Sequence, residues 1–107
     1  MADVIFSEPS EYDMIDIEYY ITNDLSNPQA AIRIIDGITD TIDNLHTFPE
    51  VSPIVSDELL CNLGIRIIHF DNYSVFYIYI ESRDVVYIMR VLYSKADWKN
   101  ILLGYRK

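Results

Sequence analysis

The sequence predicts an α+β domain: an N-terminal strand and an antiparallel helical hairpin packed on an antiparallel β-sheet, closed by a short C-terminal helix. Three observations predict it. Apolar residues recur at three- and four-residue steps from Met14 to Leu45, three runs rich in Ile, Val, Tyr and Phe follow between residues 64 and 93, and a last apolar-periodic segment ends the chain. All 107 residues are expected to form one domain, because domains usually span about 100–200 residues.

DVIFS, residues 3 to 7, alternates as a first strand. Ser7 or Ser10 can cap the helix that follows, with Pro9 in its first turn and Met14, Ile17, Ile21 and Leu25 on one stripe. Asn27-Pro28 caps and starts a second helix, whose stripe is Ala31, Ile34, Ile35, Ile38, Ile42 and Leu45. The short turn between them makes the pair a hairpin, with Asp36, Asp40 and Asp43 as a solvated face. Residues 46 to 63 carry two prolines and no sustained period, so they read as a long connection with one helical turn at SDELL. GIRIIHF, YSVFYIYI and VVYIMRVLY, separated by Asp71-Asn72 and by residues 81 to 84, read as an antiparallel meander. Ser94 can cap a closing helix that packs Trp98, Ile101 and Leu102.

Half of the residues are apolar and 13% aromatic, which is the composition of a folded globule and not of a disordered tail. The N-terminus lacks a basic region ahead of an apolar segment, and VFYIYI is too short to span a bilayer, so a cytoplasmic protein without membrane contact is expected. Cys61 stands alone, which excludes an internal disulfide and any multi-cysteine metal site. A net charge of −9 argues against general nucleic-acid binding. The charge is uneven: residues 1 to 60 hold 13 acids against one basic residue, Arg33, while residues 61 to 107 hold four acids against seven basic residues.

Arg90 is a full charge near the middle of an otherwise apolar strand. If Asp71-Asn72 is a two-residue turn and the next loop keeps even parity, Arg66 faces Tyr77, Tyr77 faces Ile88 and Val75 faces Arg90. Arg66, Tyr77, Tyr79 and Arg90 would then share one face, an anion-binding surface away from the hairpin. The hairpin would cover Ile65, Ile67, Phe76, Ile78, Ile80, Val85, Tyr87, Met89 and Val91, with His69 on that same side. The alternative is that the two arginines snorkel or pair with nearby acids.

The ordered set of a strand, a helical hairpin ending L-x-x-F-P (Leu45 to Pro49), SDELL, GIR, NYSVFYIY, VVYIMRVLY and DWKNIL resembles the RelE/ParE superfamily of bacterial type II toxin–antitoxin toxins. The resemblance covers nearly the whole chain. It implies a RelE/ParE-like α+β fold and a small toxin neutralised by a cognate antitoxin encoded beside it. RelE-like members of the superfamily cut mRNA in the ribosomal A site without metal, and ParE-like members poison DNA gyrase. The cutting chemistry drives a 2′-hydroxyl into the adjacent phosphorus, which needs in-line positioning, charge stabilisation and a proton donor or acceptor.

By that resemblance Arg66 and Arg90 match the family's basic positions and would hold the scissile phosphate. Tyr93 stands where relatives place His or Tyr and completes the catalytic expectation, with Lys95 and Tyr77 binding substrate. No cofactor and no metal is implied. The expected function is therefore a type II toxin acting as a ribosome-dependent mRNA endonuclease, with ribosome and mRNA as targets. The alternatives are a ParE-like, non-nuclease inhibitor of DNA gyrase and a decayed toxin that only binds its antitoxin. The sequence departs from the cutting pattern in three places: one lysine, Lys95, in place of a basic pair, Asp57 and Glu58 where cutting members place lysines, and no lysine after GIR.

Overall fold

The computed structural model describes residues 1–104. Strand β1 (Asp3–Phe6) leads into α1 (Glu8–Tyr19), which widens into a π-helical turn over Tyr20–Asp24. Helix α2 (Pro28–Asp43) runs into a 3₁₀ turn, and a long connection carries the one-turn helix α3 (Glu58–Cys61). Strands β2 (Ile65–Phe70), β3 (Tyr73–Ile80) and β4 (Val85–Tyr93) follow, then α4 (Trp98–Leu102).

Local chemistry sets these boundaries. The Ser7 hydroxyl accepts from the Ser10 amide and the Asn27 side chain from the Ala30 amide, each satisfying one of the amides a helix start leaves free. The stripe of α1 holds through Ile21 and fails at Leu25, which is exposed. The reason is the π-turn: the Leu25 amide bonds back five residues to the Tyr20 carbonyl, which rotates the helix past its 3.6-residue period. On α2, Ile34, Ile38 and Ile42 are buried as the spacing requires, and each contributes about 2 kcal/mol by leaving water. The tail differs from expectation: α4 starts at Trp98, while the Ser94 hydroxyl bonds that of Ser74 and its amide the Asn72 carbonyl.

The sheet has the order β1-β4-β3-β2 and is mixed, since β1 runs parallel to β4 while the other pairs are antiparallel. A parallel partner comes from a crossover, and the hairpin is that crossover. The Asp71-Asn72 turn sets the expected register, Arg66 opposite Tyr77, and Ile80 lies opposite Val85 as the parity argument required. Between Ile88 and Arg90 the register breaks: Tyr77 pairs with Ile88 but Phe76 pairs with Arg90, so β4 carries an extra residue there.

The face assignment of the sequence reading is corrected in two respects. The hairpin covers the face of Val75, Tyr77, Val86 and Ile88, and not that of Ile65, Ile67, Phe76, Ile78 and Met89, which lies under Leu60, Trp98 and Ile101. With both faces apolar and covered, alternation shows which residues share a side but not which side takes the hairpin. The bulge then separates the arginines. Arg66 shares the pairing of Tyr77 on the hairpin side, whereas Arg90 pairs with Phe76 on the other. His69, expected on the hairpin side, lies instead on the side of Ile67, exposed, with Nδ1 2.9 Å from the Ser74 hydroxyl.

Candidate functional site

The broken register in β4 leaves polar groups that β1, ending at Phe6, no longer covers. The start of α1 meets them. The Ser7 hydroxyl donates to the Met89 carbonyl at 2.7 Å. Asp13 Oδ2 accepts from Arg90 Nε at 2.7 Å and from the Val91 amide at 2.9 Å, and Asp13 Oδ1 accepts from Arg90 Nη2 at 2.7 Å. This is a bidentate fork with a third donor, on a carboxylate side chain only 8% exposed. The pair raises the Arg90 pKa chiefly through the hydrogen bond to Asp13, against the opposing effect of burial. Arg90 is thus the cation that holds α1 across the open edge of β4.

Arg66 is engaged differently. Its side chain is 13% exposed, Nη1 donates to the Ser52 carbonyl at 2.5 Å, and Nη2 reaches the exposed Glu50 at 3.4 Å. Two strands apart in the sheet, Arg66 and Arg90 have backbones roughly 10 Å apart and side chains on opposite faces. Tyr77, placed by the sequence reading on the open face, is 0% exposed, and its hydroxyl has no partner at hydrogen-bonding geometry among the described residues. Burial pushes its pKa up, with Ser52 among the polar groups that oppose the rise. Tyr79 is tied to the β3–β4 turn, donating to Asp84 at 2.7 Å, and that carboxylate pushes its pKa up to about 12.

Tyr93 lies at the other end of β4, 47% exposed, with its ring edge-on to Tyr73 at 5.9 Å between centroids. Lys95, just beyond, is exposed and has no ion pair among the described residues. The five expected site residues therefore divide: Tyr93 and Lys95 at one end of the sheet, Arg66 and Tyr77 on the hairpin side and Arg90 on the other. Of the histidines, His46 places Nδ1 2.6 Å from the Ala2 carbonyl, which can only accept, so that nitrogen carries the proton.

Tyr93 borders a cleft of about 740 Å³ between the π-turn end of the hairpin and the Asp71-Asn72 end of the sheet. Its floor is Ile17, Ile21, Ile34 and Val91, and its walls include Tyr20 and Tyr73. Burial raises the Tyr73 pKa, and Tyr20, Tyr93 and Asp71 add to the rise in that order. Across the rim Arg33 on α2 pairs with Asp71 at 3.3 Å. Sequence reasoning missed this cleft. Its one signal was the surplus of tyrosines, which marks amphipathic contact surfaces but does not say where they converge.

Residues 4–98 match the family described as the ParE toxin of the type II toxin–antitoxin system parDE. The chain belongs to the ParE toxin family. No curated protein sequence matches it. Among solved structures, it is similar to the chromosomal ParDE system of P. aeruginosa, with a TM-score of 0.70, 14% identity, and coverage of 89% of this chain and 98% of that one. The RelBE2 toxin–antitoxin complex of Mycobacterium tuberculosis follows with a TM-score of 0.63, 19% identity, and 86% and 96% coverage. The isolated RelE toxin of E. coli gives 0.57 and 11%, with 96% of each chain covered. At these identities the likenesses establish the fold, helices on a four-stranded sheet with a short C-terminal helix. As a member of this family, the chain is a toxin of a type II toxin–antitoxin system, and among its described residues no helix is long and apolar enough to cross a membrane.

Proposed function

We propose that this toxin acts by binding a protein target, in the manner of ParE-like members, with DNA gyrase as the target that resemblance implies, and that a cognate antitoxin neutralises it. The observation carrying this reading is that Arg66 and Arg90 are both satisfied inside the chain and point to opposite faces. A phosphorane formed in a 2′-hydroxyl attack is stabilised by preorganised donors that converge on the developing charge. Freeing Arg90 would leave Asp13 buried and unpaired, at a cost of about 3 kcal/mol that a phosphate contact would first have to offset. The acidic surface also repels RNA, and the family description of residues 4–98 as a ParE toxin agrees.

The test is induction of the chain in a bacterium with and without the neighbouring gene. Growth arrest with DNA-damage signalling and intact mRNA, joined by inhibition of purified gyrase supercoiling, is the expected result. Translation-dependent mRNA cuts abolished by Arg66→Ala would overturn the reading in favour of an mRNA endonuclease acting through Arg66, Arg90 and Tyr93. Arrest with neither signal would move the target away from gyrase.

A further inference from the structure

Helix α1 is apolar on two opposite sides. Met14, Ile17 and Ile21 turn inward to the core, as a helix laid on a sheet requires. Tyr12, Ile15 and Tyr19 recur at steps of three and four residues on the other side, each more than half exposed. They form one row about 10 Å long, at about 1.5 Å of rise per residue. None of them lines the cleft beside Tyr93, so the row is a separate surface. Single exposed apolar residues are ordinary, but a contiguous row rimmed by charge marks a contact surface. The rim is of one sign: Glu11 and Glu18 flank the row on one side and Asp16 on the other, with Glu8 at its start, all exposed. No Lys, Arg or His occurs among residues 1 to 32 to balance them.

We infer that the row of Tyr12, Ile15 and Tyr19 is the surface through which this toxin docks on its protein target, against a ridge whose apolar side chains meet the row and whose Lys and Arg meet Glu11, Asp16 and Glu18. The inference rests on the target-binding reading above and adds where the target is met and what charge it carries there. Charge selects the occupant. The carboxylates around the row repel the phosphates of nucleic acid and of an anionic lipid surface. A second copy pairing row to row would set acid against acid. An enzyme that grips DNA, by contrast, must present Lys and Arg to phosphates, so the gyrase named above offers the complementary sign. The two tyrosines suit such a contact: each supplies apolar area with few rotatable bonds and a ring face for a guanidinium.

The experiment measures binding of the purified chain to purified gyrase at low and high salt, together with inhibition of supercoiling. Binding should weaken as salt rises. Ile15→Ser should weaken binding and inhibition about tenfold by removing the centre of the row, and Glu18→Lys should do so by a similar factor by reversing a rim charge. Both positions are exposed, so thermal melts should stay at the wild-type value. Asp40→Lys, the same charge change on the solvated face of α2, should leave binding and inhibition unchanged and separates local contact from net charge. Wild-type binding and inhibition in both row variants would overturn the inference while leaving the target reading intact. Row variants that lose the product of the neighbouring gene, or lose self-association, yet still inhibit gyrase would overturn it too. No binding of the wild-type chain to gyrase at any salt would overturn the choice of gyrase and this inference together.

Discussion

Arg66 and Arg90 are the same residue type on the same sheet, and their surroundings differ in every respect that decides energy. Arg90 meets a buried carboxylate 77 positions away through two 2.7 Å bonds, and that carboxylate also accepts the Val91 amide. Arg66 meets a loop carbonyl and an exposed glutamate within 16 positions. The contrast teaches that a guanidinium in an apolar strand is kept for what it fastens. Arg90 fastens a helix to a strand edge left open by a short β1, and Arg66 fastens a loop to an edge strand that water also reaches.

The largest expected effect breaks that fastening. Asp13→Ala removes three hydrogen bonds and leaves a partly buried cation and a strand amide unpaired, so chemical denaturation should show a loss of about 3 kcal/mol. A double substitution, Asp13→Leu with Arg90→Met, should recover part of it, because well-packed apolar side chains replace a buried pair at little cost. No difference between the single and double variants would remove the role assigned to Arg90.

Next in size is Gly37→Ala, at the opposite edge of the sheet. A methyl group there would overlap the Phe70 ring, which packs directly on the backbone of α2, so the ring must move at about 1–2 kcal/mol. Arg66→Ala should cost about 1 kcal/mol, since the Ser52 carbonyl sits in a loop where water substitutes for the lost donor. Equal costs for the Arg66 and Arg90 alanine variants would erase the comparison. The smallest effect is confined to alkaline pH. Tyr79 has a folded pKa of about 12 against 10 unfolded, so its contribution is full below pH 10 and is lost as pH rises through 12. Tyr79→Phe should remove a late step from the phenolate absorbance titration and leave melting at neutral pH nearly unchanged.

Much of this was legible because it is local. Ser7, one of the two caps the sequence offered for α1, and Asn27 cap the two helices, and the Ile34–Ile38–Ile42 spacing places those side chains in the core. The Asp71-Asn72 turn even yielded the Arg66–Tyr77 register. The candidate site was hardly legible, because each part of it joins distant segments: Asp13 with Arg90, Arg33 with Asp71, Tyr20 with Tyr73. The bulge depends on Ser7 and Asp13 supplying partners from α1, and nothing within VVYIMRVLY announces it.

By itself the sequence determined the order of the elements, the starts of the two long helices, the meander and its first register, the resemblance to the RelE/ParE superfamily and the acidic character of the helical half. Those follow from turn chemistry, capping and periodicity, which act over a few residues. Tertiary structure alone decided which sheet face meets the hairpin, that β1 joins β4 in parallel, and that Arg90 belongs to Asp13. With both sides of the sheet apolar, alternation is symmetric between them, and only contacts between residues tens of positions apart break that symmetry.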